Sequence, residues 1–338
     1  MNSFFQKLIL SVGIIIFSLI LSSFPIAIIV LIVLGGYLKC DRITSPFLFS
    51  VLALNLNYTS TNDYFRHWAR FDHLELNQEF INYYILNLNA DIFLPLIFIF
   101  FKSIGFGYVF THTVLAAFSG FVFSTMLDKY NFSGQQRALF YLSISYYIHL
   151  LSGLRYVLSI SLFMFLYIYL RRFYFLTFFM HYASLIFTLP FALRDAFNKA
   201  TLKNYIGIFM LSIVALAFLP TLSYIERASI YITNPDAIGR HYTYLIGFYS
   251  VVVSMIYFAY LESKYCKSYF SLITLGFTII FSFFPTVLDR IFVSYFIVLF
   301  LANPDFIKRF KSVQFVILVV SSVRMFLEIY SKANNYIL

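Results

Sequence analysis

Long apolar runs limit what this chain can fold into more than any other feature of its sequence. Residues 11–36 read SVGIIIFSLILSSFPIAIIVLIVLGG and contain no charged side chain. A lipid-facing β-strand would alternate apolar and polar residues, whereas this run is continuous. A membrane-spanning helix needs about 20 mostly apolar residues. The sequence therefore predicts an all-α chain built from membrane helices.

The composition extends this prediction to the whole chain. Hydrophobic residues make up 61% of the 338 and charged residues 11%, with a mean hydropathy of +0.84, whereas a soluble domain has about 25% charged residues. We predict one transmembrane domain over 1–338, a polytopic bundle of about 11–13 membrane helices that include short or re-entrant ones. The apolar segments are 4–21, 24–38, 43–58, 107–127, 138–152, 155–170, 173–193, 204–222, 243–261, 268–285, 288–302 and 312–330.

The formal charge of +10 does not indicate a nucleic-acid partner. Membrane proteins concentrate Lys and Arg in their cytoplasmic loops, which accounts for a basic balance. Cys40 and Cys266 stand beside Lys39 and Lys267 in predicted cytoplasmic loops, so no disulfide is expected and no metal-ligand spacing is present. Nucleotide-binding and zinc motifs are absent from the sequence. We predict no metal and no cofactor.

The charges also predict an orientation. We place the N-terminus in the cytoplasm, the short apolar stretch 91–106 in the interface, and 173–193 in a re-entrant hairpin or two short half-helices. The cytoplasmic side then receives Lys7, Lys39, Arg42, Lys129, Arg137, Arg171, Arg172, Arg194, Lys199, Lys203, Lys264, Lys267, Lys308, Arg309 and Lys311. The outer side receives Arg66, Arg70, Lys102, Arg155, Arg227, Arg240, Arg290, Arg324 and Lys332. Because arginine holds phosphate through two parallel hydrogen bonds, this arginine-rich outer side is predicted to bind anions.

Three ionisable residues in apolar surroundings are candidates for chemistry. Arg155 and Arg290 each open an apolar helix at its predicted outer end. Snorkelling to headgroups is the structural alternative for Arg155, and an ion pair with Asp289 is the alternative for Arg290. His181 follows a basic pair by about ten residues, roughly 15 Å of helix. Ionisable groups at such depth are functional candidates, although a helix–helix hydrogen bond would also explain a lone histidine.

Two predicted outer loops hold most of the remaining polar residues. The first, 59–106 with its interfacial segment, carries Asp63, Tyr64, Arg66 and Trp68. Aromatic rings beside carboxylates suit a sugar, while an interfacial belt of Trp and Tyr is the structural alternative. The second, 223–242, carries Arg227, Asp236, Arg240 and His241. Its NPDAIG stretch is turn chemistry, so Asp236 also fits a purely structural turn.

Three segments resemble one known family. The run GLRYVLSISLFMFLYIYLRRFYFLTFFMHYASLIF, from Gly153 to Phe187, resembles the core of the EpsG-type polysaccharide polymerase family. In that family an arginine opens an apolar helix, a basic turn follows, and a short helix ends in a histidine. TNDYFRHW in the first outer loop and LDRIFVSYFIVLF near the C-terminus resemble two further family segments. The family commonly has Gln and small residues after the first arginine, where this chain has Tyr156 and Val157.

The resemblance implies a Wzy-like polymerase of O-antigen, capsule or exopolysaccharide. Such an enzyme works at the periplasmic face of the bacterial cytoplasmic (inner) membrane, with a helical bundle like that of the GT-C membrane glycosyltransferases. It transfers a growing glycan from undecaprenyl diphosphate to the next lipid-linked repeat unit. The implied partners are therefore the lipid-linked donor and acceptor and the lipid bilayer, and a chain-length regulator protein is compatible as a further one.

The residues meet these requirements without a metal. A diphosphate leaving group needs cations, and preplaced arginine forks stabilise the charge that develops on it. An incoming sugar hydroxyl needs a base or an orienting acceptor. We assign Arg155, Arg240 and Arg290 to the diphosphate and His181 or Asp63 to the base, with Glu226 and Asp236 as further acidic candidates. His241, Tyr64, Arg66, Trp68 and Arg227 complete the predicted substrate-binding set.

Other membrane functions remain as alternatives. A flippase or transporter of lipid-linked oligosaccharides would show internal symmetry and polar residues across the full membrane depth. An O-antigen ligase would use the same donor with a larger outer loop. A glycan-modifying acyltransferase would carry a clear His/Asp motif. Because the polar candidates gather toward one predicted face, the sequence favours a surface enzyme.

Overall fold

All the secondary structure described in the chain is helical. A computed structural model describes residues 3–55, 62–86, 92–149, 154–170, 173–181, 184–198, 241–266, 268–280 and 285–335, and no strand occurs among them. The chain divides into two compact units, Met1–Leu185 and Ile186–Leu338. The prediction of an all-α fold is thus confirmed, and the two units are described in turn.

Nine α-helices, a π-helical turn and a 3₁₀ helix are described in the first unit. Their bounds are α1 Ser3–Ile20, α2 Pro25–Tyr37, α3 Asp41–Asn55, α4 Asn62–His73, α5 Gln78–Phe80, a π-helical turn Ile81–Leu86, α6 Phe93–Ser103, α7 Tyr108–Lys129, α8 Gly134–His149, α9 Leu154–Leu170 and a 3₁₀ helix Tyr174–Phe179. The predicted outer loop 59–106 therefore contains α4, α5 and α6. Helix α6 has 11 residues, about 16 Å of rise, which is about half the hydrocarbon thickness of a bilayer.

A buried ion pair joins the helix ends of the first unit. Arg137, at the start of α8, donates from Nη1 to both carboxylate oxygens of Asp41, at 2.7 and 3.0 Å. Its Nη2 donates to Asp128 near the end of α7, and its Nε donates to the Phe132 carbonyl at 3.1 Å. The hydroxyl of Tyr141 donates to Asp41 Oδ2 at 3.1 Å. Two helix starts and one helix end are therefore fixed together, at what we call the Asp41 end.

Contacts along α3 and α7 show that these two helices are antiparallel neighbours. Ser45, one turn after Asp41 in α3, donates at 3.1 Å to the carbonyl of Gly120, two turns before Asp128 in α7. The two helices therefore still touch beyond the ion pair. A Cβ atom on Gly120 would lie 2.7 Å from the Ser45 carbonyl oxygen. The absence of a side chain therefore allows the two backbones to approach closely. Helix α1 begins at the Asp41 end as well, because the Cys40 thiol donates to the Lys7 carbonyl at 3.6 Å.

The opposite end of the first unit is where α7 and α9 begin. Ser119 of α7 and Ser161 of α9 are hydrogen-bonded at 3.1 Å, and Lys129 Nζ donates to the Ile168 carbonyl at 2.8 Å. The two helices are therefore parallel, and both run toward the Asp41 end. We call the end where they begin the Tyr108 end.

Among the described residues of the second unit there are six helices. They are α10 Leu185–Asn198, α11 His241–Tyr265, α12 Phe270–Ile280, α13 Pro285–Ala302, α14 Pro304–Arg309 and α15 Lys311–Asn335. The segment predicted as a hairpin or two half-helices, 173–193, is not one straight helix, because the 3₁₀ helix ends at Phe179 and α10 begins at Leu185. Segment 204–222 lies outside the described residues.

A second polar network lies in this unit around Glu262, which is fully buried. Its Oε2 accepts from the backbone N–H of Ser271 at 2.8 Å, and its Oε1 accepts from Asn303 Nδ2 at 2.7 Å. Tyr295 donates to the Ser271 hydroxyl at 2.7 Å. The network joins the end of α11, the start of α12 and the end of α13, at what we call the Glu262 end.

The helices differ in whether they can cross a bilayer alone. Among the described residues, one helix, Tyr108–Lys129, is both long and apolar enough to span by length and composition. Shorter apolar helices are Phe4–Ile20, Ile26–Tyr37, Phe93–Ser103, Arg155–Leu170, Leu185–Arg194 and Phe270–Ile279. The polytopic arrangement with 11–13 membrane helices stays a prediction.

We expect Arg137→Ala to destabilise the first unit by about 3–5 kcal/mol, because it leaves the buried Asp41 carboxylate without its cation. Thermal unfolding of the purified protein in detergent would measure the loss. Arg42→Ala is the matched control, since Arg42 is the exposed neighbour of Asp41 and its removal changes the net charge equally. Equal effects of both substitutions would contradict the importance of the ion pair.

Candidate functional site

Arg155 lies in the first turn of α9, at the Tyr108 end of the first unit. Its side chain is partly exposed, while the next residue, Tyr156, is buried. The sequence likewise predicts that this arginine opens the helix. The turn that carries it is held by the packing of Tyr156 beneath it.

His181 is brought to the same turn by the 3₁₀ helix. The ring of Tyr174 contacts the rings of Phe163 and Tyr167 at centroid distances of 5.6 and 6.0 Å. Seven residues later, the ring of His181 meets Tyr156 edge-on at 6.0 Å. The 3₁₀ helix therefore runs antiparallel to α9, and it places the buried His181 against the residue that follows Arg155.

Aromatic residues extend this region toward α6. Phe93, the first residue of α6, contacts Phe179 at 5.6 Å, two residues before His181. Further along α6, Phe98 meets Tyr108 edge-on at 5.7 Å. The start of α7 and the region around His181 are therefore linked through one short helix.

Trp68 lies on α4 and packs onto the start of α7. Its ring stacks on Tyr108 at 5.9 Å with an interplanar angle of 29°, and 38% of the residue remains exposed. Lys102 Nζ donates to the carbonyls of Asp72 and Leu74, at 2.6 and 3.2 Å, which holds the end of α4 against α6. A tryptophan supported on one face and accessible elsewhere suits both a sugar platform and an interfacial belt.

Two buried histidines near this end were not among the predicted site residues. His67 on α4 contacts Phe98 at 6.3 Å. His112 lies one turn after Tyr108 and contacts its ring at 5.8 Å. Seven residues separate His112 from Ser119, and seven separate Leu154 from Ser161, so His112 lies about level with the first turn of α9. The sequence signal for His112 is a histidine inside the apolar segment 107–127.

Arg290 lies in the first third of α13, in the second unit. Arg324 of α15 donates to the carbonyl of Phe292 at 3.1 Å, so it approaches α13 two residues beyond Arg290. The sequence places Arg324 on the outer side but gives it no role. Both arginines lie far along their helices from the Glu262 end.

The structure describes the remaining predicted residues unevenly. Asp63, Tyr64 and Arg66 lie in the first half of α4, and His241 is the first residue of α11. Arg227, Asp236 and Arg240, with Glu226 and most of the loop 223–242, lie outside the described residues. Of the predicted set, Arg155 and His181 lie in one region, because His181 contacts Tyr156, the residue after Arg155.

The described residues hold no group of three or more His, Cys, Asp or Glu side chains that could bind a metal ion. Cys40 and Cys266 are free thiols. Burial raises the pKa of both thiols above the ordinary value of a cysteine. This disfavours the thiolate form that nucleophilic catalysis requires.

Comparison of the chain with protein-family models, with curated proteins and with solved structures finds no match.

We expect His181→Ala to lower the free energy of unfolding by about 3 kcal/mol, as loss of a buried ring does. His181→Phe keeps a ring against Tyr156, so it should retain most of the stability while removing the imidazole nitrogens. Thermal unfolding of the two variants in detergent measures both effects. A similar loss in both would show that a hydrogen bond of the imidazole, not ring packing, holds this turn.

Proposed function

We propose that the chain is a polytopic membrane glycosyltransferase that polymerises undecaprenyl diphosphate-linked repeat units into a surface polysaccharide. The observation that carries the proposal is the ring contact between His181 and Tyr156, the residue that follows Arg155 in the first turn of α9. Arg155 and His181 also belong to the first of the three segments that resemble the EpsG-type family. An anion-binding side chain and a proton acceptor at one end of an apolar bundle suit transfer from a diphosphate.

Exposed apolar side chains support the membrane part of the proposal. Phe4 and Ile20 in α1, and Phe315 and Phe326 in α15, each expose between 65% and 71% of their surface. A soluble protein rarely leaves large apolar patches in contact with water. Hydrocarbon chains around these helices remove that cost.

The charges of the first unit support the proposed orientation. The Asp41 end carries Lys7, Lys39, Arg42 and Lys129, which the positive-inside rule assigns to the cytoplasm. Arg155 belongs to the Tyr108 end, on the opposite side. In this orientation, the Tyr108 end, with Arg155, His181 and Trp68, lies on the periplasmic side of the membrane. This is the side where the family acts.

The proposed reaction needs no metal. A hydroxyl oxygen of the acceptor sugar attacks the anomeric carbon of the donor glycan, and the bond from that carbon to the diphosphate oxygen breaks. The diphosphate leaves with the electron pair, and arginine guanidinium groups stabilise its charge. His181 accepts the hydroxyl proton or orients the hydroxyl, with Asp63 as the alternative base. Arg155, Arg240 and Arg290 are the proposed diphosphate residues.

Membrane orientation is testable with single cysteines. His73→Cys on α4 and Arg42→Cys on α3 replace exposed residues, in a background where Cys40 and Cys266 are replaced by Ala and Ser. We expect a membrane-impermeant maleimide added to intact spheroplasts to label the cysteine at position 73 and not the one at 42. The reverse pattern would overturn the orientation, and labelling of both positions would contradict membrane embedding.

Polymerase activity is testable by complementation. A deletion strain carrying Arg155→Ala, Arg290→Ala or His181→Phe should show single-repeat surface glycan in place of a ladder, because the donor is neither bound nor attacked productively. Gel analysis of surface glycan is the measurement, and Arg42→Ala is the control that should keep the ladder. Loss of every repeat from the surface would favour the flippase or ligase, and an intact ladder in all three variants would remove the site assignment.

A further inference from the structure

One face of α11 carries an exposed stripe that ends in a lysine. Tyr249, Val253, Tyr257, Tyr260 and Lys264 follow one another at spacings of three or four residues, and such residues lie on the same side of a helix. All five are exposed. The Lys264 ammonium donates to the Tyr260 hydroxyl at 3.1 Å, so its side chain reaches back along this stripe.

Helix α15 has a matching stripe. Lys311, Phe315 and Val319 are exposed and are spaced four residues apart. The stripe begins with the lysine in the first turn of the helix. Each of these two neighbouring helices thus carries an exposed apolar face with a cation at the Glu262 end.

An open apolar groove of about 380 Å³ lies between the two helices. Its walls are Tyr249, Val253, Phe315 and Val319, with Ser250, Ser254, Val316 and Val320 behind them. Phe315 follows Lys311 by four residues, so on α15 the groove begins about 6 Å along the helix axis from that lysine. On α11 the wall residue nearest to Lys264 is Ser254, ten residues or about 15 Å before it. One bilayer leaflet contributes about 15 Å of hydrocarbon, so an acyl chain that enters from this end reaches the groove.

Lys264 and Lys311, the cations beyond the Glu262 end of the groove, are held near one another by an aromatic pair. Tyr265 and Phe310 are in ring contact at 5.4 Å, and they are the sequence neighbours of Lys264 and Lys311. The guanidinium of Arg309 lies 5.5 Å from the Phe310 ring centroid. Among the described carboxylates at this end, Glu262 is bound in its buried network and Asp305 contacts Lys308 at 3.5 Å. This surface therefore has an excess of positive charge.

We propose that the groove between α11 and α15 binds an anionic phospholipid, with its phosphate held by Lys264 and Lys311 and an acyl chain lying along the groove. The proposal rests on the membrane embedding proposed above, but on neither the polymerase activity nor its residues. A neutral lipid would fill the groove equally well and would leave the cations beyond its Glu262 end unused. An anionic headgroup satisfies both features.

The proposed lipid site and the proposed diphosphate residue Arg290 lie at different ends of the second unit. The two lysines lie at the Glu262 end, whereas Arg290 and Arg324 lie toward the other ends of α13 and α15. In the proposed orientation, the groove opens toward the cytoplasmic leaflet. The bound molecule is thus a lipid of the inner leaflet and not the glycan donor.

The test is lipid binding by the purified full chain in detergent. Native mass spectrometry or a thermal-shift titration would compare phosphatidylglycerol with phosphatidylcholine. We expect each of Lys264→Gln and Lys311→Gln to weaken phosphatidylglycerol binding roughly fivefold, since a basic residue near a lipid surface contributes about 1 kcal/mol. Val319→Trp should weaken binding at least as much by filling the groove.

Matched controls separate this site from general charge and hydrophobicity. Lys7→Gln removes an exposed lysine of the first unit, and Val30→Trp adds a ring to an exposed position of α2. Neither should change binding. Equal affinity for both phospholipids, equal effects of Lys7→Gln and Lys264→Gln, or no effect of Val319→Trp would overturn the proposal. Displacement of phosphatidylglycerol by undecaprenyl phosphate would also overturn it and assign the groove to the donor.

Failure of the lipid-site proposal and failure of the polymerase proposal give different experimental results. If the chain polymerises glycan but does not select phosphatidylglycerol, the complementation ladder remains and the lipid titrations of the lysine variants coincide with wild type. If the chain is not a polymerase, lipid selectivity persists in detergent without any ladder phenotype. A chain that purifies without detergent would remove the basis of both proposals.

Discussion

The ion pair between Arg137 and Asp41 is the interaction on which the arrangement of the first unit depends. Two charged groups in an apolar bundle are costly unless each donor and acceptor has a partner. Here one guanidinium binds two carboxylates and a backbone carbonyl, and a tyrosine hydroxyl completes Asp41. Because these groups come from the ends of three helices, satisfying them fixes where those helices begin and end. The opposite end of the unit is then set by helix length.

The two ends of the first unit are held by different kinds of contact, and the proposed chemistry lies at the Tyr108 end. The Asp41 end is closed by strong polar contacts, whereas the other end is built from aromatic packing around Tyr108 and Tyr156. Aromatic contacts fix position without consuming charge. Arg155 stands in the first turn of α9, and His181 packs against the next residue, Tyr156. Polar contacts at one end and aromatic packing at the other are compatible with the proposed enzyme, which acts on one side of a membrane.

Helix positions were largely predictable from the sequence, while the contacts between helices were not. The apolar segments 107–127 and 155–170 correspond closely to α7 and α9, because uninterrupted apolar runs carry a strong local signal. The sequence places Arg137 among the cytoplasmic cations and predicts no partner for it. Its partner Asp41 is 96 residues away, and no local pattern links the two residues. The sequence does not single out His112 for a related reason, because its level relative to α9 follows from packing between helices. Arg155 and His181 are identified from the sequence as ionisable residues in apolar surroundings, and the family resemblance then links the two.

The 3₁₀ geometry of Tyr174–Phe179 has a consequence for how this chain tolerates insertions and deletions. Such a helix turns through about 120° and rises about 2 Å per residue, more than an α-helix on both counts. Adding or removing one residue between Phe173 and Met180 would swing His181 through a third of a turn, away from Tyr156. Natural variation in length should therefore accumulate elsewhere in the chain. The spacing from the basic turn to the histidine is then a more reliable signature than the residues within it.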